Sequence, residues 1–161
     1  MIKSKFKIMA FLPVTLVILV TGLLFMILKA IISSTVAPPN AIYVFTGIFV
    51  ITWIWLVFGE LRKKANYIVI DENRIVIANY LGLGPKQQYD IKDFEGFTTS
   101  LLPSRWNDYE YLFLIKDGKR IIAISEFYHK NYLDFKQYLV EKSKYLGDQP
   151  FNLLREIKDI F

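Results

Sequence analysis

The spacing of apolar and polar residues changes character partway along this chain. From Ile8 to Leu28 and again from Ala41 to Phe58 no charged residue occurs, giving uninterrupted runs of 21 and 18 residues. At a rise of about 1.5 Å per residue these runs form helices of about 31 and 27 Å, close to the thickness of a bilayer's hydrocarbon core. Pro13 falls near the start of the first run, where a missing backbone donor costs little. Lys29 to Asn40 connect the two, and Pro38-Pro39-Asn40 closes the connection, because a proline disfavours helix at the residue before it. The pattern predicts a helical hairpin with spans at 8–28 and 41–58. Gly22, Gly47 and the threonines Thr15, Thr21, Thr46 and Thr52 are its small or polar positions, expected to let the two helices pack closely.

From Ala65 the period drops to that of strands. Tyr67-Ile68-Val69-Ile70 and Arg74-Ile75-Val76-Ile77-Ala78 are β-branched runs either side of Asp71-Glu72-Asn73, a strand-turn-strand pattern. Leu81-Gly82-Leu83-Gly84-Pro85 turns the chain, and further strands are expected over 86–89 and 94–100. Tyr109 to Ile115 and Arg120 to Ile124 are joined through Asp117-Gly118, the dipeptide that a tight hairpin prefers. At least six strands linked by short connections make an antiparallel meander, which must curl into a sandwich or barrel or be covered by a helix. A helix follows, with Asn131 as cap, Tyr132, Phe135, Leu139 and Leu146 as its apolar stripe, and Gly147 as its stop. Pro150 to Phe161 predicts a short amphipathic tail helix with Leu153, Leu154, Ile157 and Phe161 on one side, packed on the domain or lying on the membrane.

Charge gives the hairpin a direction. Before residue 65 stand Lys3, Lys5, Lys7, Lys29, Arg62, Lys63 and Lys64 against the single acid Glu60, so of the net charge of +5 this part carries +6 and the rest −1. Lys3, Lys5 and Lys7 flank one end and Arg62, Lys63 and Lys64 the other, and by the positive-inside rule both termini lie in the cytoplasm. Tyr43 at the outer end, with Trp53 and Trp55 near the inner end, fits interfacial aromatic belts. A cleavable signal peptide is the competing reading of the first run, but its apolar region is normally about 7–15 residues, so the length favours a retained helix. The two segments divide the chain into a hairpin, 1–64, and a cytoplasmic β-rich domain with its C-terminal helix and tail, 65–161.

The chemistry of the chain is sparse. Zero cysteines and one histidine, His129, rule out disulfides, thiolate metal sites and multi-histidine metal centres. A β-rich part of charge −1 lacks the row of cations that phosphate contacts need, so nucleic acid is not an expected partner. Asp90, Asp93 and Glu95 are the densest acidic set, and without a histidine nearby in sequence or a glycine-hinged loop they read as a solvated turn. Gly82-Leu83-Gly84-Pro85 lacks the Gly-Lys-Ser/Thr ending of a phosphate loop. No cofactor is implied and no enzyme activity is expected. Leu101, Leu102, Arg105 and Trp106 form the candidate partner surface, an exposed hot spot unless Trp106 folds back to plug an open end of the barrel.

Two spans, six or seven strands and one helix, with Asn66 to Asp71, Gly82-Leu83-Gly84, Gln88 to Phe94 and Ile124 to Tyr128 before Asn131-Tyr132, resemble the bacterial PH-like membrane proteins. The resemblance covers about residues 62–146. It implies an α+β architecture: an N-terminal transmembrane helical hairpin, then a PH-like antiparallel β-barrel or sandwich closed by a C-terminal α-helix. It also implies a bacterial inner membrane and no catalytic residues. Members of the wider superfamily bind phosphoinositides through a basic first hairpin loop; here that loop is the acidic Asp71-Glu72-Asn73, so phosphoinositide binding is not carried over. The expected function is a membrane-anchored interaction or scaffold module that binds a protein partner or self-associates. The alternative is a small pore or transporter subunit in which oligomerised hairpins line a path with Thr15, Thr21, Thr46 and Thr52.

Overall fold

A computed structural model describes residues 1–35, 37–102 and 108–152. A short strand β1 (Ile2–Lys3) precedes a 3-10 turn (Ile8–Phe11) and helix α1 (Leu12–Ser33), with Pro13 in the first turn as its missing donor requires. Helix α2 (Asn40–Ile54) runs on through a π-helical segment (Trp55–Leu61). The helical stretches Ile8–Ser33 and Asn40–Leu61, 26 and 22 residues, are long and apolar enough to cross a membrane, at about 39 and 33 Å. The first continues past its expected end because nothing between Lys29 and Ser33 breaks a helix; it stops where Ser34 turns extended.

Neither helix is a core element. Only 11% of the most apolar window of the first and 6% of that of the second is buried, and Ile18, Phe25, Met26, Ile32 and Ile51 are each at least 65% exposed. Apolar surface on that scale belongs against lipid or protein rather than water. Where the two helices meet, the Trp53 indole nitrogen donates to Thr21 Oγ1 at 2.9 Å. The glycines do not serve the contact as expected: a Cβ built on Gly22 or Gly47 meets nothing within 4 Å, so both face outward.

The rest of the described chain forms two four-stranded sheets. The first has the order β1-β2-β3-β4, with β2 (Tyr67–Asp71), β3 (Arg74–Ala78) and β4 (Lys86–Asp90), all antiparallel. The second has the order β7-β6-β5-β8, with β5 (Gly96–Leu102), β6 (Tyr109–Lys116), β7 (Lys119–Ser125) and β8 (Tyr145–Asp148). The sheets stay separate rather than closing into one barrel. Asp117 and Gly118 both adopt positive φ, 53° and 68°, the left-handed pair that the tight β6–β7 turn requires.

Period-two register builds the core between the sheets. Ile68 opposite Ile77 and Ile70 opposite Ile75 present one buried face. It packs against Phe97, Leu112, Leu114, Ile122 and Ile124 of the second sheet. Helix α3 (Tyr132–Lys142) adds Tyr132, Phe135 and Leu139 to the same cluster, the stripe its spacing predicted.

The stripe ends sooner than expected. α3 stops at Lys142, Ser143 is extended, and Leu146 belongs to β8, 40% exposed and off the helix. The competing attraction is the edge of β5: Phe97 N donates to Lys144 O (2.9 Å) and Gln149 N to Thr99 O (2.7 Å), pairing β8 parallel to β5. Gly96 makes that approach possible, since at its φ of +155° a Cβ would stand 2.3 Å from Lys144 O. Gly96→Ala should therefore push β8 off the sheet and cost about 1–3 kcal/mol. Denaturant unfolding of the detergent-solubilised protein should show a lowered midpoint, with hydrogen exchange at Phe97 and Gln149 accelerated.

Candidate interaction surface and membrane junction

The residues before the first helix are built into the β-rich head. Lys3 pairs with Val69 and Ile2 with Ile70, which adds β1 to the free edge of β2. Ser4 fixes the register twice: its amide donates to Ile68 O (2.8 Å) and its hydroxyl accepts from Ile68 N (2.9 Å). On the other side of the segment Asn131 does the same with its side chain. Its Oδ1 accepts from Lys5 N and its Nδ2 donates to Lys3 O, both at 2.9 Å. Asn131 stands at the N-cap position of α3, but its side chain makes no cap hydrogen bond, because it is spent as a surrogate strand for residues 3–5. Lys130 N to Lys5 O (2.7 Å) and Lys7 N to Tyr128 O (2.8 Å) complete the attachment.

Beneath this segment lies His129, fully buried. Nε2 sits 2.9 Å from Asn66 O and Nδ1 3.0 Å from Ser125 O, while the ring packs 5.5 Å from that of Phe6. Burial pulls its pKa below the usual histidine value, and the two carbonyls oppose the fall without cancelling it. The imidazole is a structural tie between the N-terminal segment, β2 and the turn after β7.

The other end of the hairpin is tied by Glu60, the lone acid of the first 64 residues. Its carbonyl accepts from the amides of Lys64 and Ala65, each at 3.0 Å. Its carboxylate takes a proton donor on each oxygen: Tyr128 Oη at 2.6 Å and Lys64 Nζ at 3.0 Å. Burial and the Glu60 charge push the Tyr128 hydroxyl far above its ordinary pKa, so it stays a donor. Consecutive residues of one turn, Tyr128 and His129, thus hold both ends of the hairpin.

A second surface is the outer face of the second sheet. Strand β6 is buried on both sides: Leu112 and Leu114 face the core, while Tyr111, Phe113 and Ile115 face outward and are each 6% exposed. Across the pairs Thr98–Phe113 and Ser100–Tyr111 the face extends onto β5, and through Phe113–Ala123 onto β7. Lys64 Nζ lies 5.6 Å from the Tyr111 ring centre and the Arg120 guanidinium 4.0 Å from that of Phe113. Phe151 shares a narrow recess with Lys64, Ser100, Leu102, Tyr111 and Phe113.

The expected site residues fall in different places. Lys3, Lys5, Arg62 and Lys63 are exposed at the base of the hairpin beside the head, with Lys7 and Lys64 half-buried there. Tyr43, 54% exposed, lies at the opposite end. Trp53 donates its indole N–H to Thr21 Oγ1, and Trp55 opens the π-helical segment, both half-buried. Leu101 is 61% exposed and Leu102 packs at the rim of the outer-face cluster, while Arg105 and Trp106 lie outside the described residues. The acidic trio does not converge: Asp90 caps Lys92 N (3.1 Å), Asp93 meets Lys116 (3.5 Å) and Glu95 accepts from Gly118 N (2.9 Å). Each threonine of the spans donates to the carbonyl four residues back, and members of each pair, six residues apart, point about 120° away from one another. Neither Asn131 nor Glu60 stood out as a tie in the sequence, although an isolated acid closing an apolar run was a visible signal for the second.

Asn131→Ala should remove both side-chain bonds to residues 3–5 and cost about 1–3 kcal/mol, with faster hydrogen exchange at Lys5 as the local readout. His129 supplies a pH test. A folded-state pKa below the unfolded value of about 6.5 means the unfolded chain binds the extra proton, so its contribution is present above that pH and lost as pH falls. Thermal unfolding should lose midpoint on acidification below about pH 6.5, and His129→Gln should flatten that segment of the profile.

Comparison with protein-family models, with curated proteins and with solved structures finds no match to this chain.

Proposed function

We propose that the chain is a membrane-anchored, non-enzymatic PH-like interaction module of a bacterial inner membrane, with its head and both termini in the cytoplasm, binding a protein partner or a second copy. The observation that carries this reading is the double attachment of the head to its hairpin: β1 and Asn131 at one end, Glu60 with Tyr128 and Lys64 at the other. A head fixed at both ends is presented at the bilayer surface in a defined orientation, which confines it to two dimensions and raises its effective concentration for membrane partners.

The same attachment supports retention of the first helix. Cleavage of a signal peptide after it would remove β1 and Ser4, leave an edge of β2 unpaired and strip the partners from Asn131. It also supports a common side for residues 1–7 and the head, since paired strands cannot be separated by a bilayer. With Lys3, Lys5, Lys7, Arg62, Lys63 and Lys64 gathered there, the positive-inside rule makes that side the cytoplasm. The two facing sheets with a helix packed into their core agree with a PH-like arrangement, in an open form.

The chain has no cysteine, so single thiols report cleanly. Leu83→Cys, at a position 91% exposed, should react with a membrane-impermeant maleimide only after cells are permeabilised. Labelling of intact cells would place the head outside. A photo-crosslinking residue at position 101, irradiated in native membranes, should give a discrete adduct with a partner or a second copy; recovery of the monomer alone would overturn the interaction reading.

A further inference from the structure

The loop between β3 and β4 is built more firmly than an exposed tip needs. Leu83 is 91% exposed, the most exposed large apolar side chain among the described residues. On a loose tip that would need no explanation. Here the backbone beneath it is fixed: Asn79 O accepts from the amides of Gly82 (3.1 Å) and Gly84 (2.9 Å), and Tyr80 O from that of Leu83 (3.1 Å). A Cβ on Gly84 would stand 3.1 Å from Asn79 O, so the turn closes tightly on itself. Tyr80 and Leu81 are held at φ of 55° and 57°, a left-handed pair that the surrounding structure must enforce on residues with side chains. We infer that this loop, residues 79–85, is a membrane wedge: it seats Leu83 in the leaflet beside the head, at the boundary of headgroups and acyl chains.

Lipid is selected over a protein partner by position, level and composition. The loop is continuous with the hairpin. Leu81 N donates to Ala65 O (2.7 Å), just past the second helix, and Tyr80 and Leu81 pack on the same apolar cluster as Val14 and Val17 of α1. The level agrees. Ile8–Ser33 is about 39 Å long, whereas a hydrocarbon core of about 30 Å takes about 20 residues. Counted back from Ser33 that core reaches Val14, and counted on from Asn40 it reaches Gly59. Both ends fall beside the cluster that holds the loop: Val14 packs on it, and Leu61 and Ala65, soon after Gly59, belong to it. Composition suits the site as well. No charged residue occurs from Ile75 to Pro85 and no acid from Asn73 to Tyr89, while the exposed Lys86 follows the loop directly. A leucine tip bordered by a lysine places its apolar group among chains and its cation among anionic headgroups.

This inference rests on the membrane reading proposed above and deepens it. Leu83 adds a contact outside the two helices, which opposes rocking of the head about its joints with the hairpin. The boundary is hydrated, so a thiol at position 83 stays open to a water-borne maleimide from the side of the head.

The test labels single cysteines with an environment-sensitive dye in detergent, then returns the full-length protein to vesicles of phosphatidylethanolamine and phosphatidylglycerol, some with nitroxide-bearing acyl chains. Three positions are compared. Leu83→Cys reports the loop, and Ile18→Cys, 65% exposed, reports the first helix. Val140→Cys is 60% exposed on α3, toward the β2–β3 turn that Tyr138 reaches, and controls for any affinity of the dye itself for lipid. The dye at 83 should be blue-shifted and quenched, less than at 18, while the dye at 140 should emit as in water. Quenching at 18 with none at 83 would overturn the wedge and leave the membrane reading standing, with Leu83 turned to a protein partner instead. No quenching at any position would overturn both. Equal quenching at 83 and 140 would also overturn the wedge, because the head as a whole would then lie on lipid.

Discussion

The pairing of β1 with β2 is the constraint on which the rest of the arrangement depends. Three backbone residues, Ile2, Lys3 and Ser4, bring the start of a 26-residue apolar helix onto a sheet whose other strands all follow the hairpin. Antiparallel addition satisfies edge donors and acceptors that would otherwise face water, and the Asn131 amide repeats the trick from the opposite side. With Glu60 holding the end of the second helix to Tyr128, hairpin and head share two joints rather than one flexible linker. A single linker lets a head swivel; two joints at separate points fix its orientation.

The polar groups at this junction are matched to their surroundings. Burial favours a neutral His129 imidazole against the opposing pull of the Asn66 and Ser125 carbonyls, and Tyr128 is held protonated beside a carboxylate that needs a donor. A charge left unpaired there would cost several kcal/mol, so Glu60 is matched on both oxygens. Between the spans Trp53 donates to Thr21, and Gly22 and Gly47 face the surroundings.

Much of this was legible in the residues. The two charge-free runs gave the helices, the β-branched runs gave β2 and β3, and Asp117-Gly118 gave the β6–β7 turn, because each is a local preference with its own period or turn chemistry. β1 and β8 were not legible in the same way. Residues 1–7 alternate lysine with mostly apolar side chains, a strand pattern overshadowed by the reading of their charge as a membrane flank. Tyr145 to Asp148 lie in phase with the apolar stripe of α3, and helix lost there only because a sheet edge stood within reach at Gly96.

Sequence alone determined that this chain carries two apolar helices, a β-rich head of nearly balanced charge and a helix to close its core. Those properties follow from composition and from spacing between near neighbours. Tertiary structure decided that the first seven residues belong to the head, that Asn131 serves a strand rather than its own helix, that Glu60 is a joint, and that β6 is buried on both faces. The reason is that each of these rests on contacts between residues more than sixty apart or on which face of a sheet is covered, and no local period encodes either.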